Sequence, residues 1–442
     1  MKMFLVAGLG QTGQSIARYL QRRDQTFIAF DTRHAPPGLL DFQVEFPGVE
    51  IFLHDLPAAY YAELQAIIVS PGLSQEHPVL ANARAFNIPV YGDIECFARE
   101  VQVPVVAITG TNGKSTVTTL VRDMAQAAGL KVAMGGNIGC PVLDLLDNGV
   151  AYDLWVVELS SFQLDLCNSL APAAATILNV TPDHLDRHGD FTAYQQAKQR
   201  IYMNAQNCIY SRDDAWTTPK ILTAETWSFG LNASVAPNFG LISIDQRIWL
   251  AFGETPLIAV DELRIKGRHN WENSLAALAL ATAVGLPQSA CVTALRQFAG
   301  LQHRCQWVRT LNGVDYINDS KGTNVGATCS ALYGLGAAMS GKIVLIAGGQ
   351  GKGADFTALN SPVTKYVRAV ILIGEDAPVL EDALKNSASI TQAASLEQAV
   401  ELAAGAAKTG DTVLLSPACA SFDMFHDFNH RGECFAGIVG AL

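Results

Sequence analysis

Apolar residues come along this chain in short runs. Most runs end at a glycine, serine or carboxylate and pass into a stretch with helical spacing. That alternation predicts strands and helices wound into parallel sheets. In the first segment Phe4–Ala7, 26–30, Ala66–Val69 and 88–90 are expected strands, and a helix runs from the first glycine turn to about Arg23. A second segment starts near Val101, with strands Val105–Thr109, 154–159 and 176–180. Between Cys208 and about Leu263 the pattern shortens into pieces such as 240–244 and 248–252, which predict a small antiparallel excursion. A helix over 270–284 then restores the alternation. The third segment begins around Gly300-Leu301, with strands Val314–Asn318, 342–347, 369–373 and Thr412–Leu415 and helices over 324–333 and 395–406. Domains over 1–93, 94–299 and 300–442 are therefore expected.

Glycine-rich turns follow the strands where an α/β sheet binds ligands. After Ile108-Thr109 comes Gly110-Thr111-Asn112-Gly113-Lys114-Ser115-Thr116, leading into a helix. Strand, glycine turn, Lys-Ser and helix make a phosphate loop, with backbone N–H groups and the helix N-terminus aimed at the anion. Lys114 would meet the β/γ-phosphates and Ser115 would ligate Mg²⁺. The full pattern has glycine at position 108, where Ile108 stands. Gly8-Leu9-Gly10-Gln11-Thr12-Gly13 with Asp31 matches a dinucleotide fingerprint, but Asp31-Thr32-Arg33 suits a phosphate or a base as well as a ribose. The fold class is thus α/β in three domains. The N-terminal one is Rossmann-like. The central one is P-loop ATPase-like, mainly parallel with the small antiparallel excursion, and the C-terminal one is again Rossmann-like.

Other strand ends carry further chemistry. Glu158 could hold Mg²⁺ or cap a helix, and Ser160 and Ser161 follow it. Asp183 and His184 follow Asn179-Val180-Thr181-Pro182 and are expected on the same edge as Gly110 and Glu158. Lys198 reads, from its own neighbourhood, as a surface lysine. Asn270 and Asn273 share a helix face and could read a nucleotide or cap the helix. His303-Arg304, Asp319–Asn324 (DSKGTN), Gly348–Gly353 (GGQGKG) and Ser416–Phe422 place cations and a carboxylate at the strand ends of the third segment.

The net charge of −11 argues against a general nucleic-acid surface, and no apolar run approaches a membrane span. The apolar N-terminus reads straight into a glycine turn, so it is a strand rather than a signal peptide. Nine cysteines without a Cys-x-x-Cys pair fit a reducing cytoplasm.

Taken together, GTNGKST (Gly110–Thr116), ELSSFQL from Glu158, NVTPDHLD (179–186), His269-Asn270 with Asn273, His303-Arg304, DSKGTN and GGQGKGADF (348–356) resemble the Mur ligase family of ATP-dependent amide-forming ligases. The resemblance runs through all three segments. GLGQTGQS with DTR, and SPACASFDMFHDFNHRG (416–432), point within the family to the reaction that joins D-glutamate to UDP-N-acetylmuramoyl-L-alanine. It implies a cytoplasmic, monomeric enzyme of peptidoglycan precursor synthesis, using ATP and two Mg²⁺ sites, with no nucleic-acid or membrane partner. Thr12, Thr32 and Arg33 would hold the uracil-diphosphate end, and Asn137, Ser160 and His184 the muramoyl end. Gly110, Thr111, Asn112, Gly113, Lys114, Ser115, Thr116, Asn270, Asn273, Arg304 and Asp319 would bind ATP. Ser115 and Glu158 would hold one metal, and His184 with a carbamylated Lys198 the other. Lys321, Thr323, Lys352, Ser421, Phe422 and Phe428 would bind D-glutamate. The resemblance implies catalytic roles for Lys114, His184 and Lys198, with His303 and Asp319 as candidates to orient or deprotonate the amine. An NAD-dependent oxidoreductase built on Gly8–Gly13 leaves GTNGKST unused, and a non-catalytic nucleotide-binding regulator leaves the metal residues unused.

Overall fold

The computed structural model describes residues 2–36, 38–220, 225–233, 235–265, 267–337 and 339–442. The chain forms two compact units, 1–258 with 274–295, and 259–273 with 296–442.

The first unit holds two sheets. The N-terminal sheet contains β1 (Met3–Ala7), β2 (Phe27–Asp31), β3 (Ile51–Leu53), β4 (Leu64–Val69) and β5 (Val90–Tyr91), all parallel, in the order β3-β2-β1-β4-β5. Alternation along β1 sends Phe4 and Val6 to one core, and Leu5 and Ala7 to the core on the other face. Gly13 sits where the first helix crosses the sheet. A Cβ there would lie 1.7 Å from the Gly8 carbonyl oxygen, so only glycine permits this approach.

The second sheet contains β6 (Val105–Thr109), β7 (Val132–Gly136), β8 (Leu154–Glu158), β9 (Ala174–Ile177), β10 (Asn207–Ser211), β11 (Glu225–Phe229), β12 (Phe239–Ile244), β13 (Arg247–Phe252) and β14 (Thr255–Ala259). Its order is β14-β13-β12-β11-β10-β9-β6-β8-β7. The expected excursion is smaller than its sequence span. β10, β11 and β12 continue the parallel ladder, and antiparallel pairing starts only at β12 with β13. Parts of that span, residues 221–224 and 234, lie outside the described residues. The strand expected over 176–180 ends at Ile177, because Asn179 and Thr181 turn to hold the neighbouring glycine loop.

The two sheets share a core that runs from Phe4 and Val6 through Phe97 to Trp155 and Val157. A cationic helix face locks them further. Arg18 donates to both oxygens of Asp144 at 2.9 and 2.8 Å, Arg22 pairs with Asp147 at 2.9 Å, and Arg23 pairs with Asp147 and Glu100. The linking helix Asp93–Ala98 adds Glu95, which is buried. Its carboxylate accepts the N–H groups of Asn168 (2.7 Å) and Ser169 (2.9 Å), the Ser169 hydroxyl (2.6 Å) and Arg99 Nε (2.9 Å).

The second unit contains β15 (Gln306–Leu311), β16 (Val314–Asn318), β17 (Ile343–Gly348), β18 (Val367–Ile373), β19 (Ser389–Gln392) and β20 (Thr412–Leu415), in the order β15-β16-β20-β17-β18-β19. All pairs are parallel except β15 with β16. Its two faces bury separate cores, Leu345 and Leu414 in one, Ile346 and Val413 in the other. The last strand in sequence is inserted between β16 and β17. The loops that leave β16, β20 and β17 therefore lie side by side.

Candidate active site

The glycine loop Gly110–Gly113, expected to cradle phosphate, follows β6. Gly113 takes φ 84, a left-handed conformation suited to glycine, and the helix Lys114–Ala127 starts directly after it. The loop is clamped from β9's side. Asn112 N–H donates to Asn179 Oδ1 (2.8 Å), Asn179 Nδ2 returns a bond to the Asn112 carbonyl (3.1 Å), and Thr111 N–H donates to the Asn179 carbonyl (2.9 Å). The Thr111 hydroxyl bonds the Thr181 carbonyl at 3.1 Å and lies 3.2 Å from the Tyr194 hydroxyl. Lys114 Nζ donates to the carbonyls of Gly110 and Thr111, both at 2.9 Å. Loop, lysine and helix N-terminus thus form a rigid cationic concavity, and Ser115 is buried in the first turn.

Glu158 ends β8 on the same edge. It is 1 % exposed. Asn137 Nδ2 donates to its Oε1 at 2.9 Å, while Oε2 has no hydrogen-bond partner among the described residues. A buried carboxylate oxygen left unpaired is costly unless something cationic completes it. Lys198 is not the surface residue that its local sequence suggests. It is 2 % exposed, donates to the Gly110 carbonyl at 2.9 Å, and lies 4.6 Å from the Tyr194 ring centre. Burial, reinforced by the Lys114 charge, pushes its pKa well below the ordinary lysine range, against the pull of Asp183 and Glu158. His184 sits at φ 54 at the head of the helix Leu185–His188, with Nε2 3.7 Å from Asp183 Oδ2 and its ring edge-on to Phe162. Ser160 caps the helix Ser161–Asp165 in a reciprocal box with Gln163. Among the described residues no group of three histidine, cysteine or acidic side chains is arranged to hold a metal.

At the N-terminal sheet edge, Asp31 is already committed. Oδ2 accepts from Leu9 N–H (3.0 Å) and Arg33 Nη2 (2.9 Å), and Oδ1 accepts from Arg33 N–H (3.0 Å) and Nε (2.9 Å). Burial alone would raise the carboxyl, but the Arg33 guanidinium and these N–H groups hold it below the usual range. Its oxygens thus serve to orient Arg33 and the Gly8–Gly13 turn. Arg187 was invisible in the sequence because its partners are backbone carbonyls far away. Its guanidinium donates to Gly72 (3.0 Å), Pro71 (3.1 Å) and Leu73, and lies 4.8 Å from the Phe162 ring centre. It ties the 183–188 segment to the loop leaving β4, beside a cavity of about 150 Å³ lined by Gln75, Glu76, Phe162, Asp165 and His188.

In the second unit, Asn273 Nδ2 donates to Asn270 Oδ1 at 3.2 Å, so the two amides share a face. His303, at φ 59 and buried, places Nδ1 3.0 Å from Asn318 Nδ2. Burial lowers its pKa. Asp319 accepts the Ser416 hydroxyl (2.7 Å) and the Cys305 N–H (3.1 Å), and burial raises its carboxyl to about 6. Lys321 Nζ lies 3.9 Å from the Phe428 ring centre. The strand insertion brings together the loops carrying Lys321 and Thr323, Lys352, and Ser421 and Phe422. Ala418 N–H bonds the Gly322 carbonyl, Gly348 N–H bonds Pro417, and Gln350 pairs with Ala420. Arg431 fastens two of them. It is buried, and it donates to Ser320 Oγ (3.0 Å) and to the carbonyls of Ser320 (2.8 Å), Cys419 (3.2 Å) and Ala420 (3.3 Å). No local pattern announces this role, since those acceptors come from two separate loops.

Three family profiles match in chain order. They are the Mur ligase MurD-like N-terminal domain over 2–92, the Mur ligase middle domain over 108–281 and the Mur ligase glutamate ligase domain over 303–419. The chain is 56 % identical to the UDP-N-acetylmuramoylalanine--D-glutamate ligase of Legionella pneumophila (strain Lens), with 100 % of this chain and 99 % of the relative covered. It is 50 % identical to the enzyme of the same name from Pseudomonas aeruginosa, with 99 % and 98 % covered. Its fold is similar to that of the UDP-N-acetylmuramate-alanine ligase MurC from Thermotoga maritima (TM-score 0.61, 18 % identity, 100 % and 99 % covered). The ordered profiles and the full-length identity agree with the three-sheet α/β architecture, and the chain belongs to the Mur ligase family.

Proposed function

We propose that this chain joins D-glutamate to UDP-N-acetylmuramoyl-L-alanine at the expense of ATP, in peptidoglycan precursor synthesis. The observation that carries the reading is the meeting, on one sheet edge, of the phosphate loop, the unpaired Glu158 oxygen and the buried Lys198. The full-length likeness to ligases of that name supports the choice of substrates.

The terminal carboxylate of the UDP-linked substrate attacks the γ-phosphorus of ATP, and ADP leaves. The D-glutamate amine then adds to the acyl phosphate carbon. The tetrahedral adduct expels phosphate and loses a proton to give the amide. Lys114 and the loop N–H groups offset the charge of the transferring phosphoryl group. Asn270, Asn273, Arg304 and Asp319 are assigned to the nucleotide. Thr12, Thr32 and Arg33 hold the uracil-diphosphate end, with Asn137, Ser160 and His184 toward the muramoyl end. Lys321 and Lys352 suit the two carboxylates of glutamate, with Thr323, Ser421, Phe422 and Phe428 around it. His303 and Asp319 are the candidates to receive or direct the amine proton.

The donor set fits Mg²⁺, since a buried carboxylate oxygen without a partner needs a cation. Ser115 and Glu158 would hold one ion, and His184 with carbamylated Lys198 another. When bound, such ions supply charge neutralisation at the phosphates. The lowered pKa of Lys198 favours the uncharged amine that carbamylation by CO₂ requires, and the product is an anion suited to a cation. No described helix is long and apolar enough to cross a membrane. A cytoplasmic monomer is part of the proposal.

The test is phosphate release from ATP and Mg²⁺ with UDP-N-acetylmuramoyl-L-alanine, adding D-glutamate, L-glutamate, L-alanine or no amino acid. Release that depends on D-glutamate, with a product one glutamyl residue heavier, is expected. Release with another amino acid alone would overturn the substrate assignment.

A further inference from the structure

His184, assigned above to the muramoyl end of the substrate, is poorly placed to hold itself still. Its side chain is 44 % exposed, its backbone sits at φ 54, and the helix it heads, Leu185–His188, is a single turn. A lone turn has little stability of its own, and the left-handed region is unfavourable for a side chain of this size. Whatever fastens the far end of the turn therefore decides where His184 points. The N–H groups of Arg187 and His188 both donate to the His184 carbonyl, at 3.0 and 3.1 Å, so the two ends of the turn are tied together. At the far end the His188 side chain is only 6 % exposed. Its Nε2 lies 2.9 Å from the Ser161 hydroxyl, and its ring is stacked on Phe162, with centres 5.3 Å apart and planes inclined at 20°. Tyr194 packs against the same imidazole at 5.3 Å. His184 stands edge-on to the same Phe162 ring at 5.0 Å, so one phenyl ring contacts both histidines.

Serine, histidine and a nearby aspartate invite a nucleophilic reading, which the geometry rejects. His188 Nδ1 is 3.8 Å from Asp165 Oδ2, beyond hydrogen-bond reach, and Ser161 is 3 % exposed. The Ser161 hydroxyl serves instead to orient a ring. Ser161 and Phe162 open the capped helix that follows β8, so the frame that holds His188 is itself fixed to the central sheet. We propose that His188 is a positioning residue: docked on Ser161 and Phe162, it holds the one-turn helix and, through it, the direction of the His184 ring. The inference rests on the reading that His184 serves the UDP-linked substrate.

The test compares His188→Ala, His188→Gln, His184→Ala and the double variant His184→Ala/His188→Ala in the full-length protein. Three quantities are read: calorimetric binding of UDP-N-acetylmuramoyl-L-alanine without ATP, steady-state kcat and KM, and the imidazole signal of His184 in histidine-labelled protein, assigned by its loss in His184→Ala. Binding of an ATP analogue checks that each variant is folded. His188→Ala is expected to shift or broaden the His184 signal, to weaken binding of the UDP-linked substrate and lower kcat by about tenfold each, and to leave KM for ATP unchanged. His188→Gln should recover most of this, because its amide nitrogen can reach the place of Nε2 beside Ser161. In the double variant the loss of His188 should add nothing to the loss of His184, whereas a general structural defect would add its own cost. An unmoved His184 signal with wild-type affinity in His188→Ala, or additive losses in the double variant, would overturn the inference and leave the function of His184 standing. Wild-type affinity and turnover in His184→Ala would instead remove the reading of His184, and this inference with it.

Discussion

Replacing Glu95 by glutamine tests how firmly the linking helix holds the two sheets of the first unit together. Glu95 is buried and accepts four hydrogen bonds, three of them from Asn168 and Ser169 beyond the second sheet's strand β8. Burial by itself would raise its carboxyl. The Ser169 hydroxyl, the two N–H groups and Arg99 outweigh that and bring it from 4.5 to about 2. The difference corresponds to ~3 kcal/mol at neutral pH, and the half-exposed Arg99 partner reduces this to ~2 kcal/mol after solvent screening. Because the folded state binds the proton less tightly than the unfolded chain, this stabilisation is complete above pH 4.5 and is lost as pH falls through about 2. Glu95→Gln should therefore cost ~2 kcal/mol at pH 7 and less than half of that at pH 3. Urea unfolding followed by Trp155 fluorescence is the assay, since Trp155 packs at 4.7 Å against Phe97 of the same helix. An equal cost at both pH values, or a cost below ~0.5 kcal/mol at pH 7, would refute the reasoning.

Four further outcomes concern turnover. Lys114→Ala should lower kcat by about a thousandfold in phosphate release, and a wild-type rate would remove the phosphate-loop assignment. Lys198→Ala should lose at least about a hundredfold and recover in part when a short carboxylic acid is added, whereas full activity without the acid would rule out the carbamate. Arg187→Ala should raise KM for the UDP-linked substrate by about tenfold while KM for ATP stays the same, and Arg187→Lys should fail to restore it because an ammonium cannot match three carbonyls as the planar fork does. Arg431→Met should raise KM for D-glutamate by about tenfold, and an unchanged KM would show that the fastened loops do not form the amino-acid pocket.

What the sequence determined by itself is local. Val105–Thr109 reads as a buried strand, and the glycines after it leave only a few loop geometries, so the strand–loop–helix turn could be located without coordinates. Gly8, Gly10 and Gly13 did the same for the first turn. Short edge strands such as Ile51–Leu53 and the half-polar Ser389–Gln392 escaped notice, because three or four residues leave too little alternation to detect. The tertiary structure decided everything that depends on distant partners. Lys198 is buried because its helix packs under the phosphate loop, and its charge state follows from that enclosure. The turn and Asp31 alone left a ribose, a phosphate or a base open, and only the structure shows that Leu9 and Arg33 occupy the Asp31 oxygens. The loops carrying Lys321, Lys352 and Ser421 are far apart in the chain. They meet only because β20 inserts between β16 and β17, a pairing choice set by burial on both faces of the sheet rather than by any local pattern.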